Sequence, residues 1–149
     1  MKEVQHHIRK AFIDRLNGNL SFGGSNVPVF NKVPSNQTEP FVKVSSVNTI
    51  EINQNQTKFN TQAITRIEVF TSFNGDDGGD LQVNSIINDI LVFLRTRSSS
   101  YIDLSANNFN VYGIEIDGVD YTEEYEDDKT YHIGVIDIIT KVEQIWNIT

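Results

Sequence analysis

Apolar residues recur every three or four positions in two segments of the chain, which is the pattern of an amphipathic helix. The first segment carries a stripe made of Val4, Ile8, Ala11, Phe12 and Leu16. The second carries a broader face made of Val83, Ile86, Ile87, Ile90, Leu91, Phe93 and Leu94. Two helices are therefore predicted. The first ends at Asn17-Gly18, a pair that suits a left-handed C-cap, and Asp80 is placed to cap the second.

Alternating apolar and polar residues predict strands in most of the remaining chain. Val27 to Pro34 reads as a short edge strand, because its two prolines cannot donate ladder hydrogen bonds. Two long strands, Phe41 to Ile52 and Lys58 to Phe73, predict a hairpin. The alternation changes phase near Ser45-Ser46, which indicates a bulge in the first arm.

Three further strands are predicted after a polar connection over residues 98–108. Asp117-Gly118 is a hairpin-turn signal, so Phe109–Ile116 and Val119–Tyr125 are expected to be separate strands. Glu126 to Lys129 turns the chain again, and the last strand, Tyr131 to Ile145, is rich in isoleucine and valine and is expected to be central. The order is α-β-β-β-α-β-β-β. It predicts one α+β domain over residues 1–149, with two helices packed on a mixed, mainly antiparallel sheet.

The tip of the long hairpin, Thr49 to Thr61, has few large apolar residues. We therefore expect this hairpin to protrude, and because an isolated two-stranded ribbon is only marginally stable, we expect a neighbouring subunit to hold it. The lone tryptophan, Trp146, either closes one end of the core or anchors an interface. The predicted inter-subunit contacts are Ile50, Ile52, Asn53, Gln54, Asn55, Gln56, Phe59 and Trp146.

The charge balance argues against a primary role in binding nucleic acid. The chain of 149 residues has 20 acidic and 12 basic residues, a net charge of −8, and gains nothing from counterion release on DNA. No apolar stretch approaches the roughly 20 residues that span a bilayer. Cysteine is absent, which removes disulfides, thiol nucleophiles and thiolate metal ligands.

No motif in the sequence indicates catalysis, and neither a cofactor nor a metal is predicted. Asp76, Asp77 and Asp80 lie in a Gly-rich loop but lack the alternation and the distant Glu of a calcium loop. The acidic run from Glu123 to Asp128 resembles a solvated face rather than a carboxylate pair with divided pKa values. His6, His7 and His132 belong to no recognisable motif.

The order of several short segments resembles the tail completion, or tail terminator, family of long-tailed bacteriophages. The segments that carry this resemblance are the helix ending Leu16-Asn17, Val27–Pro34, Glu39–Val44, Arg66–Thr71, the helix ending Ile90–Leu94, and Tyr131–Asp137. They extend over about residues 4–142. Each segment is short, so their order and spacing carry the resemblance.

The resemblance implies a structural, non-enzymatic virion protein that is assembled in the host cytoplasm. Such proteins form a ring, commonly a hexamer, on the head-proximal end of the tail tube, where the ring ends polymerisation. The implied partners are other copies of the chain, the tail tube protein and the head connector or neck protein, while DNA passes through without specific binding. We hypothesise that acidic side chains line the lumen and repel DNA phosphates; the candidates are Asp76, Asp77, Asp80, Glu123, Glu124, Glu126, Asp127 and Asp128.

Two alternatives to this prediction stay open. A head-completion or neck adaptor protein would have the same general character but different neighbours. A small enzyme or ligand-binding domain with a site of dispersed residues belongs to a different class of function.

Overall fold

A five-stranded sheet with both helices on one face forms the core of the protein. The computed structural model describes residues 1–54, 59–75, 78–95 and 102–145. Its elements are α1 (Gln5–Leu16), β1 (Ser21–Phe22), β2 (Ser25–Asn26), β3 (Val29–Phe30), β4 (Phe41–Gln54), β5 (Phe59–Asn74), α2 (Leu81–Leu94), β6 (Phe109–Glu126) and β7 (Lys129–Gln144). A 3₁₀ turn, Ser105–Asn107, precedes β6.

The strand order in the main sheet is β3-β4-β5-β7-β6. The short edge strand β3 runs parallel to β4, and every other neighbouring pair is antiparallel. The predicted α+β class, the mixed and mainly antiparallel sheet, and the central place of the last strand are therefore confirmed. The small hairpin β1–β2 lies outside this sheet, in the segment after α1.

The two inner strands pair without interruption, whereas both flanking pairs are bulged. β5 and β7 keep one register from Phe59 opposite Gln144 to Asn74 opposite Lys129. The pairing of β4 with β5 shifts at Val47 and Ile52, and that of β6 with β7 shifts at Tyr112 and Asp117. The bulge predicted near Ser45-Ser46 is thus confirmed. Because β-bulges increase local twist, the sheet bends on both sides of a regular central pair.

The bulges of the two flanking strands lie at matching levels of the sheet. Val47 interrupts β4 between the residues that pair with Thr65 and Ile64. Asp117 interrupts β6 between the residues that pair with Ile138 and Asp137, and these two pair in turn with Thr65 and Arg66. The second bulges, at Ile52 and Tyr112, also lie at matching levels of the sheet, closer to the end that contains Phe59. The sheet therefore bends at the same two heights on either side.

The predicted hairpin turn at Asp117-Gly118 is wrong, because β6 continues through it as one strand. The partner strand β7 extends past this point, and Gly118 pairs opposite Asp137 immediately after the bulge. The turn predicted over Glu126 to Lys129 is confirmed, and its central residues Asp127 and Asp128 have positive φ, 52° and 60°. That conformation is typical of a two-residue type I′ hairpin turn.

The predicted hairpin of β4 and β5 is long, but it does not leave the core as a two-stranded ribbon. β7 pairs with β5 as far as Phe59, and β6 pairs with β7 as far as Phe109. The end of the hairpin is therefore supported by two further strands. The prediction of a protruding arm was wrong because the length of β7 was not evident from local patterning.

The two helices cover the face of the sheet formed by the odd-numbered residues of β5. The buried residues of α1 are Ile8, Phe12 and Leu16, as predicted, together with Gln5. Val4 is buried at the N-cap, whereas Ala11 of the predicted stripe is only partly buried. The buried residues of α2 are Val83, Ile86, Ile87, Ile90 and Leu94, whereas Phe93, predicted to be buried, is exposed. Asp80 occupies the N-cap position of α2, but its side chain makes no capping hydrogen bond.

Gln5 joins α1 to the first bulge of β4. Its Nε2 donates to the Asn48 carbonyl at 2.7 Å, the Thr49 hydroxyl at 3.1 Å and the Ile64 carbonyl at 3.2 Å, while Oε1 accepts from Thr65 at 3.1 Å. A bulge leaves ladder groups unpaired, and buried polar groups need partners. One amide side chain therefore satisfies this irregular part of the sheet beneath the helix.

Gly134 allows α2 to lie close to the sheet. A Cβ at this position would lie 2.2 Å from Ile87 Cδ1 and 3.0 Å from Val83 Cγ2. Either side chain must move to admit even a methyl group, because cores are closely packed. The close approach of helix and sheet thus depends on the absence of a side chain here.

Gly134→Ala is expected to destabilise the protein by about 1–3 kcal/mol through overpacking, measured by urea denaturation. Gly118→Ala is the matched control, since a Cβ at Gly118 meets nothing within 4 Å. Adding Ile87→Val, which removes the clashing Cδ1, should recover part of the loss. Equal effects of the two Gly→Ala changes would contradict this packing account.

Candidate interaction surfaces

Acidic residues that are distant in the sequence meet at one end of the sheet. This acidic end consists of the β6–β7 turn, the start of α2 and the residues around them. The Gly75 amide donates to the Asp128 carbonyl at 2.6 Å, and the Thr130 hydroxyl donates to the Gly75 carbonyl at 2.8 Å. The loop after β5 is thereby fixed to the turn. Asp76 and Asp77, two of the proposed lumen residues, lie outside the described residues.

A shallow depression of about 550 Å³ separates the start of α2 from β6 and β7. Asp80 and Glu123 both line it, together with His132, whose ring lies edge-on to Phe73 at 6.2 Å. In the part of the chain that the structure describes, no three His, Asp or Glu side chains converge as ligands for a metal ion. The depression is an open, polar surface with carboxylates on both of its walls.

The remaining proposed lumen residues are all exposed at this same end. Glu123 shares the helix side of the sheet with Tyr121, whereas Glu124 and Glu126 alternate to the open side, opposite Tyr131 and Lys129. Asp127 and Asp128 form the turn. The structure thus brings six of the eight predicted acidic residues together as one exposed, solvated surface.

The predicted contact residues whose side chains the structure describes lie on the edge strand β4 and at the start of the inner strand β5. Ile50 and Ile52 lie on β4 and are 47% and 37% exposed, and Phe59 is half-buried at the start of β5. The backbone of Asn53 and Gln54 belongs to β4, but their side chains are outside the described part. Asn55, Gln56 and Trp146 also lie outside the described residues.

The second face of the sheet, called the open face below, carries no described helix. Phe41 and Phe70 stack on it with ring centroids 4.9 Å apart, and Ile133 is the next residue across the sheet. Arg66 forms a two-point ion pair with Asp137, at 2.9 Å and 3.2 Å. Further along, Lys141 Nζ donates to Glu115 at 2.8 Å. This face therefore alternates apolar patches with paired charges.

The ion pairs of the open face shift the pKa values of their members. The hydrogen bond from Arg66 to Asp137 raises the pKa of the Arg66 guanidinium, as does the negative charge of Asp137. The hydrogen bond with Lys141, followed by its positive charge, lowers the pKa of the Glu115 carboxyl. Because these pairs are partly exposed, each contributes little to stability, and their role is to fix side chains on the face.

Comparison with protein-family models finds no match, and comparison with curated proteins finds no significant relative. The resemblance to tail terminators therefore stays a prediction from the order of the segments. No described helix is long and apolar enough to cross a membrane.

Sequence reasoning missed the burial of Gln5, Leu20, Ile102 and Leu104. Gln5 is polar within an apolar stripe, and only the bulge beside it explains its burial. Ile102 and Leu104 were assigned to a polar connection, yet both are buried in the core next to Phe109. Their i, i+2 spacing just before a strand was the available signal.

Lys141→Met is expected to return the pKa of Glu115 toward its ordinary value, as followed by NMR titration of the carboxyl group. A depressed carboxyl pKa stabilises the fold above the unfolded-state pKa, and this stabilisation is lost as the pH falls through the folded-state value. Asp103, whose pKa is lowered by hydrogen bonds from Ser105, is the control and should not change. A Glu115 pKa that stays low without Lys141 would contradict the assignment.

Proposed function

We propose that the chain is a tail terminator, which assembles as a ring on the head-proximal end of a phage tail tube and ends its polymerisation. The observation that carries the proposal is the order of the family-like segments, which occupy α1, β3, β4, β5, α2 and β7. The two helices cover one face of the sheet, and no described helix or strand covers the other face or two long strand edges, which suits them to protein contacts. Surfaces of that kind are those that an assembly component uses.

In this proposal, the acidic end lines the channel through which DNA passes. Exposed carboxylates from Asp80 and from the segment Glu123–Asp128 create a negative surface on one end of the subunit. Negative potential repels phosphate, and the six described carboxylates of this end outnumber its described basic residue, Lys129, which lies opposite Glu126. DNA passing such a surface would not adhere to it.

Tails assembled without the protein are expected to be overlong and headless. A nonsense codon at Gln5 in the virus that encodes the chain would test this, with tails examined by electron microscopy and wild-type protein supplied in trans as the control. Tails of normal length without heads would instead indicate a neck adaptor. Normal infectious particles would contradict any role in tail completion.

The position of the acidic end gives a separate expectation. In a reconstruction of the assembled ring, Glu123, Glu124 and Glu126 should lie on the surface that faces the channel. Their location on the outer rim of the ring would contradict the lumen hypothesis while leaving tail termination intact.

A further inference from the structure

Charge is separated across the width of the sheet. The first 45 residues hold six basic and three acidic residues, and the basic ones are Lys2, Arg9, Lys10, Arg15, Lys32 and Lys43. Lys2 precedes α1, and its backbone amide donates to Gln144 Oε1 at the end of β7, whereas the other five belong to α1, β4 and the connection after β3. On the opposite side, β6 has six acidic residues and no basic one: Glu115, Asp117, Asp120, Glu123, Glu124 and Glu126. In a chain of net charge −8, basic residues thus predominate in α1 and its surroundings beside β4, and acidic residues predominate in β6.

Both of these sides end in a strand with an unused edge. No described strand pairs with the outer edge of β6, which is 18 residues long. On the other side, β3 pairs with β4 only at Val42 and Lys43, and Asn31 caps the Val44 carbonyl at 2.8 Å. From Ser45 to Gln54, no described strand covers β4. Unpaired edges of this length are templates for pairing with another chain.

Exposed apolar side chains are concentrated on these same two strands. Val47, Ile50 and Ile52 on β4 are 47%, 47% and 37% exposed. Tyr112, Tyr121 and Tyr125 on β6 are 40%, 53% and 62% exposed. Tyr112 lies at the level of Ile50 and Glu51, and an aromatic side chain beside an aliphatic one is a cross-strand pair that stabilises a sheet.

The topology determines how two such edges would meet. In the order β3-β4-β5-β7-β6, three successive antiparallel steps make β6 antiparallel to β4. If neighbouring copies point the same way, as in a ring, β6 of one copy lies antiparallel to β4 of the next. Their bulges lie at matching levels, so the two bent edges follow each other. Arg9 of α1 donates to the Ser46 hydroxyl at 2.6 Å on the uncovered part of β4, and the row of Ser46 runs through Thr65 and Ile138 to Ile116, next to Asp117, so opposite charges lie at the same level of the two edges.

We infer that the chain binds a second copy of itself head to tail, with the acidic edge strand β6 of one copy pairing with β4 of the next, beside the basic residues of its α1. Pairing of β6 with β6 is disfavoured because like charges would lie opposite each other. The contact is heterologous, so it can repeat around a ring. Only the closure of these contacts into a ring rests on the proposed function, and the contact between two copies does not.

Cysteine cross-linking of purified full-length protein tests this contact, because the natural chain has no cysteine. Asn48→Cys marks β4 and Glu115→Cys marks β6; both positions are exposed and lie on one row through Ile64 and Ile139. Within one copy, three strand spacings separate them by roughly 14 Å, which is too far for a disulfide. Asp120→Cys places the cysteine at a second position on β6, so that pairing of the two strands in a shifted register is also detected.

Under mild oxidation at high protein concentration, a mixture of the β4 variant with a β6 variant should give disulfide-linked dimers. Either variant alone should give none, and the Asn48→Cys, Glu115→Cys double variant should give a ladder of oligomers. Added salt should reduce the yield, as should Arg9→Glu in the β4 variant, and Asp117→Lys in its Glu115→Cys partner should restore it. Thermal unfolding of each variant serves as the control for folding.

Cross-links from a β6 variant alone would overturn the inference in favour of a symmetric edge contact. The absence of cross-links from every mixture of folded variants would overturn it entirely. Neither result bears on tail length, which is scored in the nonsense mutant, so the interface and the proposed function can fail independently.

Discussion

The uninterrupted pairing of β5 with β7 is the constraint on which the rest of the structure depends. Because these strands stay in register along their whole length, alternate residues of both point consistently to the helix face. Ile67, Val69, Ile136 and Ile138 form its centre, and all are fully buried. Gly134 lies in the same pair and sets how closely α2 approaches. A slip of one residue would move every one of these side chains to the open face.

The flanking strands have a different character from the central pair. Each carries two bulges, so β4 and β6 depart from the regular ladder at the same heights on both sides. Gln5 supplies the missing hydrogen bonds at the β4 bulge under α1. Bulges and charges usually protect an edge from indiscriminate pairing. Here β6 is acidic, whereas Arg9 of α1 supplies a positive charge at Ser46 of β4, which favours pairing of β6 with β4 over pairing of β6 with itself.

Much of the fold could be predicted from local patterns, and the errors share one physical cause. The stripe of α1, the alternation in β5 and the proline-limited edge strand β3 depend on residues close in sequence. The turn signal at Asp117-Gly118 failed because pairing with β7 outweighs a local turn preference, and the burial of Gln5 depends on a bulge more than 40 residues away. Tertiary contacts of this kind leave no periodic pattern.

The candidate surfaces were only partly predictable for the same reason. The acidic segment from Glu123 to Asp128 was evident in the sequence, and its proximity to Asp80 was not, because β7 and the loop after β5 bring them together. Ile50 and Ile52 were selected as contacts on an arm, and the structure places them on a strand edge that other strands support. The edge strand β6 was not predicted as one long strand, because the turn signal at Asp117-Gly118 divided it into two.

Hydrogen–deuterium exchange on dilute and concentrated protein tests the central claim most directly, since it reports the pairing of each backbone amide. The account predicts slow exchange in β5 and β7 at both concentrations, because their amides are already paired within the sheet. In concentrated protein, added protection should appear in Ser45–Gln54 of β4 and in β6 together. Added protection of amides only outside β4 and β6, as from a contact through the open face, would contradict assembly through the strand edges. No change in β4 and β6 would contradict it as well.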